Sequence, residues 1–265
     1  EECAFCRASC PSRDIFKEPD SGLPLKCDMC EGEDEPLCVT WCMVDALVLE
    51  DCLCLKDAQP LELFNGRGRR AHGTLALARR EARVKVESSE ASPEELVVPI
   101  TLLAALAKGE KMELVIQKAV ELGVTSIAPV ETERSVLELK GARAEKRVAR
   151  WRQIMINACE QCGRDTLPTI EPIRPLEETV AAIKAPVRLV LDPRAERPLT
   201  ELRDQPRPDG VALLVGPEGG LTEGEVATAV ERGFRALTLG PRILRAETAA
   251  ITGVAVLRYQ WGDLG

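Results

Sequence analysis

The sequence predicts an α/β protein with a largely parallel sheet, preceded by two smaller pieces of different character. Three observations predict it. From about residue 97 onward apolar, strand-like runs alternate with helix-like stretches, a pattern that builds parallel sheets covered by helices. Two glycine-containing segments follow such runs in the last third of the chain. Nine of the eleven cysteines lie before residue 55, so the composition changes abruptly near residues 50–55. At 265 residues, with 45% hydrophobic and 29% charged side chains, the chain suits more than one folded unit and not a disordered one. No apolar run approaches the ~20 residues of a membrane helix, and Glu1, Glu2 and Cys3 lack the blocks of an export signal, which points to the cytoplasm. The start at Glu1 instead of Met suggests a fragment or a processed terminus. The net charge of -8 is concentrated in the first 50 residues. The near-neutral remainder can carry a basic face, so the total charge does not exclude a polyanionic partner.

The first piece reads Cys3-x2-Cys6-x3-Cys10-Pro11, then Cys27-x2-Cys30-x7-Cys38-x3-Cys42. Thiolates so spaced bind soft metals, as zinc or as iron–sulfur clusters, and the Cys10-Pro11 ending favours clusters. The radical-enzyme pattern Cys-x3-Cys-x2-Cys is excluded, because Arg13 and Asp45 stand where its third cysteine belongs. Over 1–50 the segment resembles dicluster 4Fe-4S ferredoxin-like modules of electron-transfer proteins. That resemblance implies one complete cluster on Cys10, Cys27, Cys30 and Cys38. Cys3, Cys6 and Cys42 would hold a second, whose first ligand falls before residue 1 and whose closing Pro is replaced by Met43.

Residues 51–92 carry short β signals: Leu61 to Phe64, the Asn65-Gly66 turn, Thr74 to Leu77, and alternating Val84 and Val86. They read as part of a small β-barrel, with Ser88 to Glu95 as linker. The lone histidine, His72, reads as an exposed loop residue.

In the third piece, 93–265, the apolar run from Val97 to Ala105 precedes a helix in which Met112, Val115, Ile116, Ala119 and Val120 share one face, stopped by Gly123. Ser126 to Val130 is the next strand, 142–162 a long helix, and Val187 to Leu191, Val211 to Val215 and Ala236 to Leu239 are buried-type strands. Cys159 and Cys162, at i and i+3, cannot complete a tetrahedral metal site alone and read as packing. Arg143, Arg147 and Arg150 share a helical face, solvated by default, with phosphate contact as the alternative.

Ligands of such sheets gather at the carboxyl ends of strands. Two segments fall there. In Gly216-Pro217-Glu218-Gly219-Gly220, glycines let backbone approach a ligand, and Thr222 with Glu225 forms a capping box for the next helix. The run matches neither the dinucleotide fingerprint nor the P-loop. The second segment is Leu239-Gly240-Pro241-Arg242-Ile243-Leu244-Arg245-Ala246-Glu247-Thr248-Ala249, with two arginines in a turn between buried elements.

This pair resembles the 16S rRNA (uracil-N3)-methyltransferase family. Lys111 to Gly123, Glu160-Gln161-Cys162-Gly163-Arg164 and Trp261-Gly262-Asp263 agree in order, over about 55–265. The resemblance implies a trefoil-knotted SPOUT domain at 93–265, a homodimer, and a PUA-like barrel whose opening strands are replaced here by the cysteine-rich piece, through a natural fusion or a misjoined gene. It implies S-adenosylmethionine as methyl donor, and 16S rRNA of the small ribosomal subunit as partner. It puts Leu191, Gly216, Pro217, Glu218, Gly219, Gly220, Leu239, Gly240, Ile243, Leu244 and Thr248 at the cofactor. Arg245 and Arg164 are candidates to stabilise the uracil anion, and Glu247 or Glu218 to act as base. A different class, an iron–sulfur electron carrier built on the cysteines, is the alternative.

Overall fold

The Asn65-Gly66 turn joins the first two strands of an antiparallel three-stranded sheet. In it, β1 (Pro60–Phe64), β2 (Arg69–Ala78) and β3 (Glu81–Ala91) lie in that order. The Asn65 side chain accepts hydrogen bonds from the Arg67 and Arg69 N–H groups, and Gly66 and Gly68 supply the positive φ that the reversal requires. The computed structural model describes residues 60–78, 81–92, 98–135 and 139–262. The chain divides into two units, Glu1–Pro93 and Glu94–Gly265. The cluster ligands foreseen at Cys3, Cys6, Cys10, Cys27, Cys30, Cys38 and Cys42 lie outside the described residues.

Two readings of the first unit are corrected. Ser88 to Ala91 is not linker but the end of β3, paired with Arg69 to His72, because a ladder needs only backbone groups and tolerates polar side chains on an exposed strand. His72 is exposed, as expected, but stands in β2 opposite Glu62 and Ser88 instead of in a loop. The register shifts between His72 and Gly73. A Cβ at Gly73 would sit 2.6 Å from the Lys85 carbonyl, so only glycine allows the strands to approach there.

The second unit is a parallel sheet between helical layers. Its elements are β4 (Ile100–Ala105), α1 (Lys111–Glu121), β5 (Ser126–Glu131), α2 (Gly141–Cys162), β6 (Thr169–Ile170), β7 (Arg174–Pro175) and α3 (Leu176–Ala182). There follow β8 (Val187–Leu191), a 3-10 turn (Leu199–Leu202), β9 (Val211–Val215), α4 (Glu223–Glu231), β10 (Arg235–Leu237) and α5 (Ala246–Trp261). The strands are ordered β10-β8-β9-β4-β5-β6, with β7 also beside β5, and every pairing is parallel. The central strands are buried on both faces, which is why they read as unbroken apolar runs.

One layer is Leu176 and Val180 of α3 with Ala229 of α4, packed on Leu103, Val190 and Leu214. On the opposite face α5 lies against β9, β4 and α1. Gly253 makes that close approach, since a Cβ there would meet Leu213 at 2.9 Å. The α1 face foreseen from Met112, Val115, Ile116, Ala119 and Val120 is buried as a unit, and Gly123 ends the helix with φ 82°. The last strand stops at Leu237, short of Leu239, because Thr238 turns to bond residues 197–199 instead of β8. Among the described residues no helix is long and apolar enough to cross a membrane.

Candidate functional site

β8, β9 and β10 are neighbours, so the segments leaving their carboxyl ends meet. Between them lies a cleft of about 290 Å³, near the low end of the ~300–1,000 Å³ of small-ligand sites. Its walls bring together Leu191, Gly216, Pro217, Glu218, Gly219, Gly220, Leu239, Ile243 and Leu244 of the residues singled out from sequence. Gly240 and Thr248 do not line it.

The glycine-rich turn is held from several sides. Gly220 takes φ 68° and donates to the Pro217 carbonyl. A Cβ at Gly216 would lie 3.0 Å from the Leu221 backbone nitrogen, so a side chain there forces the turn open. The capping box is formed: Thr222 Oγ1 accepts from the Glu225 N–H and Glu225 Oε2 from the Thr222 N–H. The other oxygen of Glu225 accepts from the Glu133 N–H at 2.8 Å, tying in the loop after β5. From that loop Arg134 donates to the Gly219 carbonyl at 2.8 Å, its aliphatic chain 3.2 Å from where a Gly219 Cβ would stand.

The sequence reading missed Arg134, Asp192 and Arg194, which also line the cleft. Asp192 is buried and gripped in a two-pronged pair by Arg194 at 2.9 and 3.1 Å, while Arg194 also donates to the Leu221 carbonyl. The hydrogen bond to Asp192 pushes the Arg194 pKa further up. Asp192-Pro193, directly after an apolar run, was a legible strand-end signal. Arg134 had none, since it reaches the cleft only by packing on Gly219.

The polar candidates separate. Arg245 is the N-cap residue of α5, its backbone carbonyl accepting from the Ala249 N–H; its side chain is exposed, between Leu244 and Ala246 of the cleft wall, and makes no hydrogen bond or ion pair with the described residues. Glu247 is not at this cleft. It borders a much smaller cavity, about 10 Å³, behind Gly216 and Ala246, where its Oε2 is buried without a hydrogen bond. Glu218 accepts from the Lys108 N–H and pairs with Lys111 at 3.1 Å. Burial works against its charged form, but its own backbone N–H, Lys111 and the Lys108 N–H outweigh burial and hold its pKa below the ordinary value. So held, it is a weak base.

Arg164 is not brought to the cleft either. Its guanidinium donates to the Val120 and Val124 carbonyls, at the opposite end of α1 from Lys111, ~14 Å away at 1.5 Å per residue. Cys159 is fully buried, as core packing requires, and the Cys162 thiol bonds the Cys159 carbonyl. Among the described residues no group of three His, Cys, Asp or Glu side chains is placed to hold a metal. Arg147 and Arg150 both reach Glu113, so part of the basic face of α2 is already neutralised.

The chemistry of the cleft suits a ligand with one apolar, flat part and several polar groups: aliphatic walls from Leu191, Val215, Leu239 and Leu244, glycine backbone, and arginines at the rim. Residues 94–258 match the model of the RNA methyltransferase domain. Ribosomal RNA small subunit methyltransferase E of Buchnera aphidicola subsp. Schizaphis graminum is 37% identical over 166 residues, covering 62% of this chain and 67% of that one. The protein of the same name from Synechocystis is 33% identical, covering 70% of this chain and 58% of that one. A crystal structure of ribosomal RNA small subunit methyltransferase E from Neisseria gonorrhoeae, bound to S-adenosyl methionine, superposes with a TM-score of 0.72 at 36% identity, covering 80% of this chain and 87% of that one.

Proposed function

Because the chain belongs to the RNA methyltransferase family, in its ribosomal RNA small subunit methyltransferase E branch, we propose that it methylates N3 of a uridine in 16S rRNA. The observation that carries this reading is the meeting of Gly216 to Gly220 with Leu239 to Leu244 in one cleft at adjacent strand ends. Bound there, S-adenosylmethionine supplies an electrophilic methyl on its sulfonium. The chain's part is to hold that cleft rigid and to prepare the uracil. Leu191, Val215 and Leu244, which line the cleft, would bury the apolar face of the ligand, and the turn from Gly216 to Gly220 would let backbone come close to its polar edge.

Uracil N3 attacks only after losing its proton, and the negative charge then spreads onto the two flanking carbonyl oxygens. Arg245, cationic and without a partner among the described residues, is the group that donates to one of those oxygens. Glu247, whose Oε2 is buried without a hydrogen bond, remains the carboxylate suited to take the proton. Holding nitrogen and methyl in line supplies further rate. Glu218 serves the cofactor wall, and Arg164 holds α1. Titration of the full chain with S-adenosylmethionine in a calorimeter tests the cleft. Wild type should bind and Gly216→Val should not, while an unchanged affinity in the variant removes this turn from the site.

Finer readings accompany it. We infer that the unit from residue 94 is trefoil-knotted, a reading supported by α5 lying on β9 and β4 although the chain reaches it from edge strand β10, with Thr238 bonded to the 197–199 segment on the way. It works as a homodimer in the cytoplasm, with the three-stranded sheet of residues 60–91 serving RNA as a PUA-like barrel remnant. The cysteine-rich segment, 1–50, binds one 4Fe-4S cluster on Cys10, Cys27, Cys30 and Cys38, a reading supported by spacing alone. Anaerobically prepared protein should then be brown and contain iron and sulfide. Colourless protein with stoichiometric zinc contradicts that.

A further inference from the structure

Resting on the methyltransferase reading, we propose that Lys111 is a positioning residue of the cofactor cleft. Its ammonium ties together the two glycine-containing segments, through Glu218 on the first and Glu247 at the start of the helix that continues the second. Lys111 opens α1, and its Nζ lies 3.1 Å from Glu218 Oε1 and 4.0 Å from Glu247 Oε2. Glu218 itself lines the cleft, beside Gly219, and Glu247 directly follows Ala246, which also lines it. The Glu247 side chain is only 13% exposed, and its Oε2 has no hydrogen bond.

No other cation takes over this task among the described residues. On α1 itself, Glu110 is the N-cap residue and Glu113 is occupied by Arg147 and Arg150 of the packed helix α2. On α5, Arg258 reaches Leu122 and Gly123 at the far end of α1. Arg245 forms no ion pair with the described residues, and Arg134 is committed to the Gly219 carbonyl. Lys108 faces Glu218 with its backbone N–H, which carries no net charge.

Two carboxylates sharing one ammonium repel each other once it is gone. Without Lys111 the turn at Glu218 and the entry to α5 are pushed apart, and the cleft between their continuations widens. Protonation of either carboxylate relieves the repulsion. Cofactor affinity thus becomes pH-dependent in the absence of Lys111, in a sense that packing alone does not produce.

The test is calorimetric titration of the full chain with S-adenosylmethionine from pH 5 to pH 8.5. Lys111→Met should bind about tenfold more weakly than wild type at pH 8 and recover to about twofold at pH 5, as a carboxyl takes up a proton. Lys111→Arg, which restores the charge on a side chain of similar reach, should stay within about threefold of wild type throughout. Lys111→Met combined with Glu218→Gln should lose the pH dependence. Thermal melts of each variant establish that it is folded. Wild-type affinity and pH profile in Lys111→Met, or an equal loss at every pH that Arg does not rescue, overturns the proposal. Failure of the wild-type chain to bind at any pH would instead overturn the methyltransferase reading on which it rests.

Discussion

Arg245 separates binding from chemistry. It stands at the α5 N-cap with its side chain in solvent and no partner among the described residues, so its removal should cost the fold little. If it donates to a uracil oxygen as N3 loses its proton, its effect is larger in the transition state than in the ground state. Arg245→Ala should lower turnover ~100-fold to 1,000-fold and leave the calorimetric affinity for S-adenosylmethionine nearly unchanged. Equal turnover in single-turnover assays refutes the role. At Gly219 the structure changes the expected cause. Its missing Cβ makes room for Arg134, which donates to the Gly219 carbonyl. Gly219→Val should weaken cofactor binding by displacing that arginine, and Arg134→Ala should reproduce part of the loss. An Arg134→Ala chain with wild-type affinity rejects this cause. The glycines were legible through their pairing with the segment from Leu239 to Ala249, since a glycine-rich turn after an apolar strand is by itself an ordinary way to start a helix. Arg134 was not legible, because a side chain that arrives from a distant loop leaves no local pattern.

The helix α1 accounts for where one candidate, Arg164, is placed. Carbonyls at its C-terminal end and just beyond it need donors from outside the helix, and two arginines from elsewhere in the chain reach this region. Arg164 donates to Val120 and Val124, and fully buried Arg258 to Leu122, Gly123 and Val98. From sequence, Arg164 beside a family-like motif read as chemistry, since a motif records that a residue is needed and not what it touches. Arg164→Ala should lower stability by about 1 to 3 kcal/mol with cofactor affinity kept, and denaturant unfolding alongside calorimetry checks both halves. Loss of affinity without loss of stability would return Arg164 to the site. On α2, burial raises the pKa of Glu160 to about 7 from 4.5, and its Oε2 has no hydrogen bond. The folded state therefore holds a proton that the unfolded state releases between those values, and stability falls as pH rises through the window. Because the group is only half-buried, screening reduces the effect to about 1 kcal/mol. Glu160→Gln should flatten that slope and melt higher than wild type at pH 8. Parallel stability profiles for the two proteins contradict the assignment.

At the scale of the whole molecule, alternation of apolar runs and helical faces was enough to foresee a parallel α/β sheet, because strands buried on both faces announce themselves by composition. Strand order was not legible. It is set by which connections pass over which face, and no local pattern encodes that β10 lies outside β8 while α5 returns to β9 and β4. The short β6 and β7, two residues each, are too brief to leave a period. The cleft inherits this limit: both of its glycine-containing segments were recognisable singly, but their meeting depends on β8, β9 and β10 being adjacent. That meeting is the basis of the proposed activity, and one measurement addresses it. Small ribosomal subunits lacking the modification should be incubated with the full chain and S-adenosylmethionine, and the methylated nucleosides of their rRNA identified by mass spectrometry and mapped. N3-methyluridine is expected at one position of 16S rRNA, absent when Arg245→Ala replaces the wild type at equal concentration and short times. Methylation of another atom or another RNA, or none while the cofactor is bound, would contradict the proposed activity.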